Sequence, residues 1–202
     1  MPVNDAVMER RVERAVADYI SHHRNDAANE RRFYRGAPTL SQAITRAANA
    51  CTAGGRKHPH QWRIPRHFLQ EFGARLSDSK RVIRKATSFD ELHEIVREVG
   101  EQTYMIGELT IYDTAHRIGC KLGLSPARVY LHSGTRSGAL AIGIHPSRTS
   151  VPVKELPKPF AVLKPYEIED CLCIFKGLLS GEGPDLGTRC GCDGRGCVRW
   201  TS

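Results

Sequence analysis

The strongest constraint on the fold lies in residues 88–123, where two amphipathic segments follow each other across a short connection. The first, SFDELHEIVREV, repeats its apolar residues at helical spacing. Ser88 and Glu91 are spaced as a capping box, a pattern typical of a helix start. The second apolar stripe runs from about Glu108 to Leu122, and Gly123 is a natural helix stop. These residues predict two helices joined by a tight turn.

Helical patterns also occur elsewhere in the chain, whereas strand patterns are weak throughout. We expect a long polar helix over residues 3–34, a short helix over 40–48, one after Pro65 and a last one over 164–179. The apolar residues of these segments recur every three or four positions, as in helices that bury one face. The chain is therefore expected to be mainly α.

Other segments lack this period. Residues 129–131 favour an extended stretch, Gly134–Arg136 a turn, and the proline-rich residues 145–160 a surface connection. From Ser180 the sequence is rich in Gly and Cys and has no apolar period, so we expect an irregular tail over 180–202. The length of the remainder fits a single helical domain over residues 1–179.

The net charge of +8 is unevenly distributed along the chain. Residues 1–87 contain 17 Lys and Arg against 8 Asp and Glu, whereas the remainder contains 13 against 14. A basic N-terminal part of this kind suggests a surface that faces a polyanion, most commonly nucleic acid. The alternative is a solvated arginine-rich helix surface without a partner. Duplex DNA is the partner that we expect.

The stretch GGRKHPHQWR within this basic part combines cations, imidazoles and an indole. Arg56, Lys57 and Arg63 are suited to phosphate contacts, and Trp62 or His60 can stack on a base. A mobile surface loop is the alternative. For a metal ion, the two histidines supply at most two ligands, because neither a carboxylate nor a cysteine follows at a conventional distance.

The connection between the two helices has a chemistry of its own. Backbone N–H groups at the start of a helix bind phosphate oxygens, and a glycine there lets a nucleic-acid backbone approach closely. Ile106, Gly107 and Thr110 stand in the order of a hydrophobic residue, a glycine and a threonine that such a phosphate-binding hairpin uses. Gly107 and Thr110 are therefore candidates for binding nucleic acid.

Over residues 88–145 the order of these features resembles the helix-hairpin-helix DNA glycosylase superfamily. IGELTIYDTAHRIGCKLGLSPARVYLHSGTRSGALAIG brings Gly107 and Thr110 first, then a helix, an extended segment and a polar turn with Arg136. The resemblance implies a hairpin unit that holds duplex DNA, with Arg136 among the contacting residues. It also implies base excision, with a carboxylate that stabilises the oxocarbenium-like sugar.

The chain departs from the family pattern at three places. Met105 stands where the first glycine of the hairpin belongs, and Ile111 replaces the usual alanine. No Asp or Glu occurs in residues 119–144 of the sequence. Where the family has its carboxylate, this chain has Leu131, His132 and Ser133.

Other groups must then supply the catalytic chemistry. His132 is a candidate base, because histidine titrates near neutral pH, although it also fits a histidine bonded to backbone at a turn. Glu108 and Asp113 are the nearest carboxylates. Glu108 is also explained by the helix dipole. Asp113 belongs to a patch with Tyr112, His116 and Arg117 that could line a pocket for a base. In the alternative, Tyr112 lies in the core and the other three residues form a solvated face.

Seven cysteines, an odd number, argue against a secreted disulfide scaffold and favour reduced thiols or a metal site. Cys190, Cys192 and Cys197 are the best metal candidates, although their C-x-C and C-x4-C spacings are unusual for structural zinc. We expect no cofactor, with zinc as the possible exception.

Several classes of protein are excluded by the absence of their sequence motifs. The sequence lacks the phosphate-loop, dinucleotide, zincin and esterase motifs, and it has no apolar run of about 18 residues. Its first residues are too charged for a signal peptide, so we expect a cytoplasmic protein, nucleoid-associated if bacterial. The leading hypothesis is a DNA-binding helical protein related to glycosylases. The alternatives are a non-catalytic module for RNA or an acidic protein, and a hydrolase or effector that uses His58, His60 and His132.

Overall fold

The computed structural model describes residues 5–182 and is mainly helical, as predicted. This part of the chain contains ten α-helices: α1 (Asp5–His22), α2 (Arg24–Arg35), α3 (Leu40–Ala48), α4 (Arg66–Asp78), α5 (Lys80–Ile83), α6 (Phe89–Glu101), α7 (Glu108–Leu122), α8 (Ser133–Ala141), α9 (Pro165–Ile174) and α10 (Lys176–Ser180). Two short strands, β1 (Val129–Tyr130) and β2 (Ser150–Val151), pair antiparallel with Val129 opposite Val151. Short 3-10 helices cover Pro59–Gln61, Val153–Glu155 and Lys158–Val162.

The described chain divides into two compact units. One consists of residues 5–26 and 127–182, and the other of residues 27–126. None of the helices in residues 5–182 has both the length and the apolar character needed to cross a membrane.

The unit of residues 27–126 is organised by the α6–α7 pair, which packs on α3 and α4. Ser88 caps α6 by accepting a hydrogen bond from the Glu91 backbone N–H at 3.1 Å, and Gly123 ends α7 with φ of 76°. A Cβ on Gly100 would lie 2.6 Å from Ile111 Cγ1, so the glycine permits the close approach of α6 to α7. The largest fully buried side chains of this unit are Tyr34, Phe72, Ile44, Leu69, Leu76, Ile83, Leu92 and Ile118.

The unit of residues 5–26 and 127–182 forms around α8 and α9. A Cβ on Gly138 would lie 2.1 Å from the backbone oxygen of Leu172, so the two helix backbones are nearly in contact. Helix α1 packs against the 3-10 helix Lys158–Val162 and against α10. The apolar core of this unit includes Val12, Tyr19, Leu131, Phe160, Ile168, Leu172, Phe175 and Leu179.

The structure corrects three sequence predictions. The helix expected over residues 3–34 is interrupted at His23, whose ring packs edge-on against Phe175. The turn expected at Gly134–Arg136 lies inside α8, because the packing of small residues on α9 outweighs the low helix propensity of glycine. The surface connection expected over 145–160 contains β2 and buries Phe160 completely. Most of the predicted irregular tail, residues 183–202, lies outside the described chain.

Candidate functional site

The turn between α6 and α7 presents backbone and aromatic groups to solvent. Met105 has φ of 63°, in the left-handed region that glycine favours, while Ile106 is buried beneath it. Tyr104 is 73% exposed. The resemblance to the hairpin family places a glycine at position 105. The backbone there has a conformation that glycine favours, although the residue is methionine.

The start of α7 is open to a ligand. Gly107 is the N-cap residue and no side chain caps the helix there, so the first backbone N–H groups have no side-chain acceptor from the cap. A Cβ on Gly107 would meet no atom within 4 Å, and its φ of −100° suits any residue. Neither packing nor backbone conformation therefore requires a glycine at this position.

The basic loop, residues 51–65, is held in a defined conformation. Cys51 and Lys57 form an isolated antiparallel bridge, and Gly55 has φ of 73° at the bend between them. Lys57 Nζ donates a hydrogen bond to the Ile64 carbonyl at 2.6 Å and lies 5.8 Å from the centre of the Trp62 ring. Trp62 itself is 63% exposed.

A ring contact joins the basic loop region to the α6–α7 turn. The ring centres of Phe68, in the first turn of α4, and Tyr104 are 5.1 Å apart, and the ring planes are inclined at 62° in an edge-to-face contact. Arg66 is the first residue of α4 and is exposed, as is Arg63 just before it. Burial, followed by the charge of Arg66, lowers the pKa of Lys57. We call the set Trp62, Arg63, Arg66, Tyr104 and Gly107 the basic–aromatic surface.

Next to this surface, two histidines of the loop meet a carboxylate of α7. His58 and His60 flank Pro59 in a 3-10 turn, in which His58 Nδ1 accepts a hydrogen bond from the His60 backbone N–H at 3.4 Å. Their ring centres are 4.8 Å apart. His60 Nδ1 lies 3.2 Å from Asp113 Oδ2, and Gln61 Nε2 donates to the same oxygen at 2.8 Å.

A buried arginine completes this polar cluster. Arg117, whose side chain is 5% exposed, lies 3.4 Å from Asp113 Oδ2 and 3.6 Å from Glu30 Oε1. Its guanidinium also donates to Gln61 Oε1 at 3.2 Å. Glu30 Oε2 in turn lies 3.3 Å from His58 Nε2. The solvated face considered for Asp113 and Arg117 is therefore wrong, whereas Tyr112 is buried as that interpretation expected.

The charges of the cluster are fixed by its geometry. Burial alone would raise the pKa of Glu30, but the hydrogen bond with His58 and the charge of Arg117 lower it to about 2. Burial opposes ionisation of Asp113 too, yet Arg117 and His60 hold its pKa well below the usual range. Burial and then the charge of Arg117 lower the pKa of His58. At neutral pH the cluster therefore contains two carboxylates, one guanidinium and a neutral His58.

The predicted nucleic-acid-binding residues fall into three groups. Arg56, Lys57, His60, Trp62, Arg63 and Gly107 all lie in the loop and turn just described. Thr110 is buried, so its hydroxyl is not on the surface. Arg136 belongs to the other unit, on α8.

The three predicted catalytic residues are divided between the two units. Glu108 is exposed in the first turn of α7, and Asp113 belongs to the polar cluster. His132 belongs to the other unit, where its Nε2 lies 2.7 Å from Glu169 Oε1 and Thr135 donates to the same oxygen at 2.7 Å. These last three side chains are buried. The predicted metal ligands Cys190, Cys192 and Cys197 lie outside the described residues.

Sequence reasoning missed Glu30 and Gln61 as members of the polar cluster. Glu30 and Gln61 had no motif, because they join the cluster only through the packing of α2 and the loop beside α7. Arg117 had been grouped with Asp113 from the sequence, and its position four residues later puts both side chains on one helix face.

Comparison of the chain with protein-family models, with curated proteins and with solved structures finds no match in any of the three. The geometry of residues 27–126 is therefore the basis for a proposed function.

Proposed function

We propose that the unit of residues 27–126 binds the phosphate backbone of duplex DNA through its basic–aromatic surface. The observation that carries this proposal is the contact between Tyr104 and Phe68. It connects the α6–α7 turn, which leads into the N-terminus of α7, to the first turn of α4, which begins with the exposed Arg66.

The start of α7 supplies the neutral half of this interaction. Backbone N–H groups at a helix N-terminus, together with the helix dipole, favour a phosphate oxygen. The open space beside Gly107 lets a duplex backbone approach these groups. Because the glycine is not required by packing or by its φ, substitutions there test binding without disturbing the fold.

The charged half comes from the loop and α4. Residues 27–126 contain 16 Lys and Arg against 10 Asp and Glu, and five of those acids lie on α6. Arg97 on α6 forms ion pairs with Glu94 and Glu101, so its positive charge is neutralised within the helix. A duplex is therefore repelled by α6 and attracted to Arg63 and Arg66. The exposed Trp62 and Tyr104 rings add contact area of the kind that stacks on bases.

The test is the salt dependence of binding to a short fluorescein-labelled duplex, followed by anisotropy. Gly107→Glu should abolish most binding, and Gly107→Gln, the neutral variant of equal size, should weaken it less, because charge repulsion adds to steric exclusion. Arg66→Gln should reduce the slope of log K against log salt by about one. Lys121→Gln is the matched control, since it removes one charge at the far end of α7, about 20 Å from Gly107.

The outcomes separate the candidate partners. Equal affinity of Gly107→Glu and the unchanged protein would remove the turn from the binding surface. Tighter binding of single-stranded RNA or of an acidic peptide than of duplex DNA would favour the non-catalytic module with another partner.

Base excision stays a prediction from the resemblance. Its test is the formation of an abasic product when the full chain is incubated with duplexes that carry modified bases. If product forms, Asp113→Asn and His132→Asn identify the catalytic group. Absence of product across a broad panel, with DNA binding intact, would favour the non-catalytic module. Of the three histidines named for the hydrolase alternative, His58 and His60 lie within residues 27–126 and His132 lies in the other unit.

A further inference from the structure

The polar cluster also has the composition of a metal site. One nitrogen of His58, one nitrogen of His60 and one carboxylate oxygen of Asp113 all lie within 4.8 Å of one another. We propose that these three residues bind one zinc ion, which fixes the basic loop to α7. This inference does not depend on DNA binding, and it concerns different residues from the cysteines that the sequence suggested.

The distances are close to those that zinc requires. Zinc binds histidine nitrogen and carboxylate oxygen at about 2.0–2.2 Å in a tetrahedron, so ligand atoms are about 3.3–3.5 Å apart. Side-chain rotations that move the ligand atoms by about 1–1.5 Å close the site from the observed spacing. The histidines lie on a short 3-10 turn and Asp113 on a regular helix, so only side chains need to move.

Asp113 has one oxygen available for an ion. Its contacts with His60, Gln61 and Arg117 all involve Oδ2, and in residues 5–182 no hydrogen bond to Oδ1 is found. Oδ1 can therefore bind zinc while Gln61 continues to orient the carboxylate.

The proposed ligand His58 has a hydrogen-bonding partner of the kind that metal ligands usually have. Glu30 Oε2 lies 3.3 Å from His58 Nε2, as in the carboxylate–histidine pairs that orient zinc ligands. His58 Nδ1 is then the zinc-binding nitrogen, and it exchanges its 3.4 Å hydrogen bond from the His60 backbone N–H for the ion. Glu30 also adds a second negative charge, so that Glu30, Asp113 and Arg117 together have a net charge of −1. Arg117 opposes a cation, and this one opposing charge predicts a weaker site than three ligands would form alone.

The ligand set fits zinc and excludes two other common ions. Two imidazoles exclude calcium and magnesium, which take oxygen ligands. Imidazole with one carboxylate suits zinc, and three protein ligands leave a fourth position for water. The ligand side chains of His58, His60 and Asp113 are 16%, 19% and 13% exposed, so an ion and a water molecule can enter.

The experiment uses the full chain with Cys190, Cys192 and Cys197 replaced by serine, so that thiolates at these positions cannot contribute. Zinc is added to the chelator-treated protein and bound metal is counted after dialysis. One zinc per chain is expected, together with a rise in Tm. His58→Asn/His60→Asn should lose the zinc, and His67→Asn, which removes an exposed histidine of the same unit, should retain it.

A second measurement protects the test against misfolding of the double variant. Zinc is added to the 15N-labelled serine-substituted chain, and the imidazole nitrogens are followed by NMR. Shifts at His58 and His60 support the site. No bound zinc, retention of zinc by a folded double variant, or shifts confined to other histidines would overturn it.

Discussion

Gly100 on α6 faces Ile111 on α7 so closely that an added Cβ would lie 2.6 Å from Ile111 Cγ1 and 2.9 Å from its Cδ1. The two helices therefore meet at a position where only glycine fits without displacement. Gly107, seven residues later, has no atom within 4 Å of an added Cβ.

This contrast predicts that the same substitution destabilises the protein at position 100 and has little effect at position 107. Gly100→Ala gains about 1 kcal/mol of helix propensity but incurs about 1–3 kcal/mol of overpacking, because the branched Ile111 side chain has little room to move. We expect a net loss of about 1 kcal/mol in the free energy of unfolding, measured by urea denaturation. Gly107→Ala is the control and should change it by less than about 0.5 kcal/mol. Equal effects of both variants would contradict the close α6–α7 contact.

Met105 predicts a stabilising substitution. A residue other than glycine in the left-handed region costs roughly 1–2 kcal/mol, so Met105→Gly should raise the free energy of unfolding by about 1 kcal/mol after the greater chain entropy of glycine is subtracted. Gln102, with φ of −88°, lies in the same turn and provides the control. Gln102→Gly should destabilise the protein. A loss of stability in Met105→Gly as large as in the control would be incompatible with a positive φ at position 105.

Arg117 is predicted to be essential for stability. Its removal leaves Asp113 and Glu30 without their cation inside the cluster, and breaking a buried pair costs about 3–5 kcal/mol. Arg117→Met should therefore lower the unfolding free energy by about 3 kcal/mol when measured with chelator. Arg117→Met/Asp113→Asn should cost less than the sum of the two single variants. Strict additivity would show that the two side chains do not interact.

Cys171 predicts a loss of stability at alkaline pH. Burial and then the charge of Asp170 raise the pKa of its thiol, whereas an unfolded cysteine titrates near pH 8.5. Below about pH 8.5 both states keep the proton. Above it only the unfolded chain releases the proton, so the unfolding free energy falls by up to about 1.4 kcal/mol per pH unit.

Urea unfolding under reducing conditions, from pH 8 to 10, checks this prediction. Cys171→Ala should show a shallower decline than the unchanged protein, while Cys51→Ala, at a half-buried position, serves as the control. Parallel pH profiles for the Cys171 variant and the unchanged protein would count against a raised pKa at this thiol.

The sequence was sufficient to predict the start of α6 and both ends of α7, because local signals at Ser88 and Gly123 mark them. Helix α6 continues through Gly100 to Glu101, two residues past its predicted end at Val99. The sequence was insufficient for α8, whose helix depends on the contact of Gly138 with Leu172 across the chain. The same limit applies to the polar cluster. His60 and Asp113 are 53 positions apart, and only the packed unit shows that the histidine pair has a carboxylate beside it.

Backbone NMR of the 15N-labelled chain tests whether duplex DNA contacts the basic–aromatic surface. Addition of a short duplex should shift the amide signals of residues 104–110 and 56–67, and Gly107→Glu should suppress those shifts while leaving the spectrum otherwise folded. Shifts confined to other residues, or none at saturating duplex, would contradict this contact.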